Sequence, residues 1–210
     1  MWGLVQDGAI TKLINNPKVM VIGDIRYSRK IFSLWSKSEL EAIGIYEVVQ
    51  DNTNKKDEHW YTNTNVSYAF ADGVVTASYG SSTAKAHADT LWTQQDSDDG
   101  DLPSDKSVGD VKVEGLKTIK IRAIKSNAAN ELAKTDWYIV RKADAGTAVP
   151  SAITTHRAAV RTKCAEMETA ITNASNTAAI ETLYTPVNTA DEGDPVVMER
   201  PLGVLPTLEV

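Results

Sequence analysis

The chain is short of the residues from which most enzymatic and metal sites are built. One cysteine, Cys164, occurs in 210 residues. A disulfide or a cysteine-built zinc cluster needs a second thiolate, so neither forms within the chain, and Cys164 is expected as a small apolar residue on a helix. Three histidines, at 59, 87 and 156, show no HxxxH or HExxH spacing that would turn two imidazoles toward one metal. Each is expected at the surface or half-buried. A GxSxG elbow, a phosphate-cradling glycine loop and a GxGxxG after a strand are also missing. Cys164 and His156 would stand two helical turns, ~12 Å, apart, which is no dyad. The expectation is a protein that is not an enzyme and takes no cofactor or metal.

A basic surplus is lacking too. Lys and Arg number 22 against 28 Asp and Glu, a net charge of -6, with a pI near 5.1. No field concentrates phosphate backbones, so nucleic acid is not an expected partner. No apolar run approaches the ~20 residues that span a bilayer, and MWGLVQDGAITKL has neither a cationic nor an apolar leader region. No membrane partner is expected, and synthesis in a cytoplasm is.

What is present is ordinary for a globular chain: 42% hydrophobic and 24% charged residues, five tryptophans and seven tyrosines. The fold class read from the pattern is α+β, a small antiparallel β-rich N-terminal domain followed by an α-helical hairpin and an extended C-terminal arm. Residues 1–93 form the β-rich domain with one short helix. Asp7-Gly8 and Asp72-Gly73 sit between apolar runs as hairpin turns. Ser36 and Glu39 make a capping box, with Trp35 and Leu40 spaced as a hydrophobic staple, and Gly44 ends that helix. Residues 82–95 read as helical but marginally amphipathic. Residues 94–110 are an acidic flexible linker, whose Asp96, Asp98, Asp99 and Asp101 are read as solvated rather than as a calcium loop.

Residues 111–184 are the hairpin segment. Leu116, Ile119, Ile124, Ala128 and Leu132 give one buried stripe, and Ile153, Val160, Cys164, Met167 and Ile171 the other. A break near Thr135–Arg141 separates them, Pro150 opens the second helix, and a short third helix lies near Ala178–Tyr184. Residues 185–210, with Pro186, Pro195, Pro201 and Pro206, form an extended arm without a hairpin of its own. Its Val196-Val197 and Leu202 to Leu208, Leu202 and Leu205 among them, are expected to dock on a neighbour or on the body of the protein.

Two segments carry a resemblance. Glu131-Leu-Ala-Lys-Thr-Asp136-Trp137-Tyr-Ile-Val-Arg141, then Val149-Pro150 and His156-Arg157-Ala-Ala-Val-Arg161, resembles the phage tail assembly chaperone and tail-fibre-assembly type of family. There a helix ends in L-x-x-T/S-D-W, and a second helix begins with Y-R-x-x-L/V-R after a proline loop. Leu34-Trp35-Ser36, Glu39-Leu40 and Ile43-Gly44-Ile45-Tyr46 are similar to a step found in tail-associated phage proteins. Trp35, Asp136, Trp137, Arg141, Arg157 and Arg161 are thus the motif residues. Asp136 is expected to cap the turn, Arg157 or Arg161 to pair with it or with a partner's carboxylate, and Trp137 to be buried, so that Trp137→Ala would cost ~3–5 kcal/mol.

The resemblance implies a structural component of a tailed phage virion, tail-fibre-associated or peripheral to the baseplate. Such a chain is made in the host cytoplasm and assembled into the tail. Its partners would be other tail, baseplate or fibre proteins, with homo-oligomerisation left open. Two alternatives stand beside this: a transient tail or tail-fibre assembly chaperone not retained in the virion, and a host-glycan-binding module using the aromatic residues of the β-rich domain.

Overall fold

The computed structural model describes residues 1–208 and is α+β, in two compact units divided between Thr83 and Ala84. The first unit starts with a hairpin, β1 (Trp2–Gln6) and β2 (Ala9–Ile14), then β3 (Met20–Ile22) and β4 (Ile25–Tyr27). Two short helices follow, α1 (Ile31–Leu34) and α2 (Lys37–Ala42). Strands β5 (Ile45–Asp51), β6 (Tyr61–Thr62), β7 (Val66–Ala71) and β8 (Val74–Tyr79) lead to β9 (Thr83–Ala84) at the division. Asp7 and Gly8 at φ 52° and 76°, and Asp72 and Gly73 at 51° and 75°, adopt the left-handed geometry that a two-residue hairpin turn demands.

The main sheet has the order β2-β1-β5-β8-β7. All its pairs are antiparallel except β5 with β8, whose residues Val48–Asp51 run parallel to Val75–Ser78. The core of this unit gathers Leu4, Ile14, Met20, Ile31, Leu40 and Ile45, with Trp2 and Phe32 packed at its margin. Burying each such aliphatic side chain contributes ~1.5–3 kcal/mol.

The capping box forms as read: Ser36 N–H donates to Glu39 Oε2 at 2.7 Å, and Glu39 N–H to Ser36 Oγ at 3.3 Å. The staple does not. Leu40 is taken wholly into the core, while Trp35 is exposed and meets the ring of Tyr27 edge-on at 5.8 Å. Gly44, at φ 81°, is required twice over, because a Cβ there would lie 2.5 Å from the Val5 carbonyl oxygen.

The second unit departs from the sequence reading in its first thirty residues. The stretch expected to be helical up to Gln95 instead carries β10 (Thr90–Leu91), paired with β11 (Val111–Val113) around a short helix, α3 (Gln94–Asp98). Its backbone serves another element. The carbonyls of Ala86 and His87 accept the N–H groups of Leu116 and Lys117, and Asp89 accepts from Gly115 N–H at 2.7 Å and from the Thr118 hydroxyl at 2.8 Å. These bonds satisfy the first turn of α4 (Leu116–Ala133), so the long helix begins after a strand rather than at Val111. A Cβ on Gly115 would come within 2.3 Å of Ala88, hence the glycine.

Residues 94–110, read as a flexible linker, are exposed but held. Trp92 N–H donates to Asp110 O and Gly109 N–H to Trp92 O, both at 2.8 Å, and Thr93 with Asp96 caps α3 reciprocally. The unit boundary therefore falls ahead of this loop rather than at residue 93.

Helix α4 packs against α6 (Ser151–Asn173). Lys117 Nζ donates to Thr172 O at 2.7 Å near one end, and Arg157 Nη1 to Leu132 O at 2.7 Å near the other, so the two run antiparallel. Ile124, Ala128, Val160, Cys164, Met167 and Ile171 interlock between them as the two stripes require. The short α7 (Thr177–Tyr184) follows. The break expected near Thr135–Arg141 is itself a helix, α5 (Asp136–Ala145), ended by Gly146 at φ 68°. Beyond α7, β12 (Val187–Asn188) pairs with β13 (Met198–Glu199), a hairpin that the sequence reading denied to this arm. Asn188 makes it possible, its side-chain oxygen accepting the N–H groups of Ala190 and Val197.

Candidate interaction surface

The two halves of the motif meet at the junction of α4, α5 and α6. Thr135, fully buried, ends α4, donating its hydroxyl to Leu132 O at 2.9 Å. Asp136 restarts the chain as helix by placing a carboxylate in the first turn of α5. Arg157, two turns into α6, then closes the junction: its Nη1 lies 2.7 Å from Leu132 O, 2.7 Å from Thr135 Oγ1 and 2.8 Å from Asp136 Oδ1. One guanidinium nitrogen, sharing its two hydrogens, thus reaches a helix-end carbonyl, a buried hydroxyl and a carboxylate. Arg161 does not take part; its Nη1 reaches only the Arg157 carbonyl, at 3.4 Å.

Beside this junction lies a second buried polar pair. Glu131 Oε1 and His156 Nε2 stand 3.6 Å apart, both shielded from solvent and both without a hydrogen bond. The other oxygen of Glu131 accepts from Lys134, and Leu208 donates a backbone N–H to the carboxylate. Lys134 first, and Leu208 and His156 after it, hold the Glu131 carboxyl below the usual range in spite of its burial. His156, expected at the surface or half-buried, is instead buried, while Glu131 is one member of a quoted motif with no partner implied.

The junction leaves α5 outside. No residue of this helix is buried, and Trp137, expected to fill the hairpin's end, is 57% exposed. The reason is the Arg157 bridge, which occupies the closure that an indole was expected to fill. Trp137 instead packs near Tyr138, ring centroids 5.9 Å apart. Arg141 spreads its guanidinium over both rings, 4.8 Å from the first and 5.5 Å from the second. Its Nε is buried in this stack with no hydrogen-bond partner. Ile139 and Val140 are exposed as well, Val140 on the same face as Trp137 and Arg141, and Arg141 has no carboxylate partner among the described residues.

Of the arm residues expected to dock, Leu202 and Leu205 do so on their own unit, while Val196, Val197 and Val204 stay exposed. Leu202 belongs to the core between α4 and α6, and Leu205 packs against it. The arm thereby roofs a cleft of about 520 Å³ whose walls include Lys120, Asn127, Tyr184 and Arg200. The remaining motif residue, Trp35, lies in the other unit on its Tyr27 contact.

Among the described residues no three His, Cys, Asp or Glu side chains converge as metal ligands, and no helix is long and apolar enough to cross a membrane. No protein-family model, curated protein or solved structure matches the chain.

Proposed function

We propose that this chain is a structural component of a tailed phage virion, fibre-associated or peripheral to the baseplate. It works through contacts with other tail proteins and not by a reaction of its own. The observation that carries the reading is the junction of α4, α5 and α6. Arg157 converges on Leu132, Thr135 and Asp136, so the two motif halves that resemble tail proteins belong to one structural device. That device holds α5 as a short helix whose aromatic face looks outward, an arrangement suited to adhesion.

A second reading is favoured by one observation. Val196, Val197, Met198 and Val204 are all exposed in the arm, and apolar surface carried in this way suits a chaperone that covers an unassembled partner. Mass spectrometry of purified particles separates the two. Recovery in stoichiometric amounts supports the virion component. Absence from particles, with recovery bound to unassembled tail protein in infected cells, transfers the assignment to the chaperone.

A further inference from the structure

The cleft under the C-terminal arm is walled by the second unit alone, and its roof is tied down at both ends. Leu202 N–H donates to Leu183 O at 3.0 Å at one end, and Leu208 N–H to the Glu131 carboxylate at the other. Its volume, about 520 Å³, lies within the range of sites that hold a small molecule. The middle is apolar, Ile124 and Met167 coming from the two long helices and Leu202 and Leu205 from the arm. Charge among the lining residues is confined to the ends. Lys120 and Glu131 both stand on α4, ~16 Å apart along its axis. At the first end Lys120 Nζ lies 5.1 Å from the centre of the Tyr184 ring, and Arg200 is close enough to act on the Tyr184 hydroxyl. Glu131 does not cancel these cations, because one of its oxygens accepts from Lys134 and the other is shielded from solvent, 3.6 Å from His156 Nε2. Glu181 and Glu199, the carboxylates next along the chain to Tyr184 and Arg200, do not line the cleft.

We propose that this cleft binds a small amphipathic anion, its charged oxygen head between Lys120 and Arg200 and its apolar chain laid over Ile124, Met167, Leu202 and Leu205. The two cations suit one head in different ways, the guanidinium by paired N–H groups and the ammonium as a point charge. The Tyr184 hydroxyl, which burial holds in its protonated form, stands beside them. A neutral molecule with the same chain buries the same apolar area but gains nothing from the cations, so the head sets the affinity. A short anion meets the cations without the chain and is held weakly in water. The ligand is one of the isolated chain, and the inference stands whether or not the proposed setting in a phage tail is right.

Titration of the full chain, followed by amide chemical shifts in nuclear magnetic resonance, tests both affinity and place. Octanoate is expected to shift the amides of Val204 and Leu205 saturably, with a dissociation constant of about 1 mM or tighter. Octan-1-ol is expected to bind ~10-fold more weakly at the same amides, and propanoate not to saturate them. Lys120→Gln with Arg200→Gln should lower the affinity for octanoate ~10-fold and leave that for octan-1-ol unchanged, since only the head contacts are lost. Asn127→Trp, an exposed position on the wall, should block both ligands. Circular dichroism checks that the variants keep their helices; should the double variant lose them, Arg200→Gln alone, in the exposed part of the arm, carries the comparison. Octanoate that leaves the Val204 and Leu205 amides unmoved overturns the inference. So does octan-1-ol binding as tightly as octanoate, or a cation-free variant that binds octanoate as well as the wild type.

Discussion

Arg157 and Asp136 form an ion pair at 2.8 Å whose two sides differ sharply in environment, the arginine side chain 10% exposed and the aspartate 58%. The pair is therefore less a salt bridge than an anchored arginine with one solvent-facing partner. Its buried bonds run to Leu132 O and Thr135 Oγ1. Losing the exposed partner leaves those bonds intact, whereas losing the arginine removes both buried charge-assisted bonds at once, leaving Leu132 O and the Thr135 hydroxyl only their bond to each other and to the local backbone.

The prediction is an asymmetry. Arg157→Ala is expected to destabilise the second unit by ~2–4 kcal/mol, the range for a buried charged hydrogen-bonding group, and Asp136→Asn by no more than ~1 kcal/mol. Urea unfolding followed by helical signal measures both. Equal losses would mean that the charge pair, and not the backbone carbonyl and hydroxyl, is what holds the junction.

Trp137 offers the second test. Its exposure predicts that Trp137→Ala changes stability by ~0.5 kcal/mol or less, in contrast to the buried truncation expected from the motif. Ile171→Ala, at a fully buried position between α4 and α6, is expected to cost ~2–5 kcal/mol in the same assay. A loss at Trp137 comparable with that at Ile171 would show the indole packed inward in solution.

These cases mark where the sequence is legible. The Asp-Gly turns and the Ser36/Glu39 box are local: the residues that act are within a few positions of one another, and their chemistry is sufficient. The α4 and α6 stripes are also legible, because helical periodicity names the buried face without naming its partner. The parallel pairing of β5 with β8 is not, since register across more than twenty intervening residues has no local signature. The fate of residues 84–110 was hidden for a similar reason. The carbonyls of Ala86 and His87 accept from α4, and no pattern within the stretch announces a distant donor. At the candidate site, charge offered Arg157 or Arg161 as a partner for Asp136 without choosing between them, and the exposure of Trp137 was not legible, because an aromatic side chain satisfies a core and a surface stack equally well.

Acid sensitivity gives a third prediction. The Lys112 ammonium, followed by the hydroxyl and N–H of Thr93, holds the Asp96 carboxyl down to about 2. An unfolded aspartate titrates near ~3.9. The folded value is the lower one, so this interaction stabilises fully above about pH 4 and its contribution is lost as pH falls toward 2. Asp96→Asn is therefore expected to flatten the fall in melting temperature across that window, with the main loss appearing already at neutral pH. Melting temperatures of both proteins, taken from pH 2 to pH 7, decide it. Parallel curves would mean that Asp96 is not held in its ionised form by the β10–β11 loop.

The arm tests whether an extended, proline-containing segment is part of the second unit's core or merely lies on it. Leu202 is 4% exposed, and its N–H donates to the carbonyl of Leu183 at 3.0 Å, tying the arm to the end of α7. Val204, two residues later, faces outward. If the arm is integral, Leu202→Ala should cost ~2–5 kcal/mol and Val204→Ala less than ~0.5 kcal/mol, because only the first leaves a cavity between α4 and α6. The amide of Leu202 should then exchange with deuterium only through global opening of the unit, slower by orders of magnitude than the amide of Val197 would without its partner. A Leu202 amide that exchanges as fast as an open loop, with Leu202→Ala leaving the unfolding midpoint unchanged, would place the arm off the core in solution and leave the groove between the helices open.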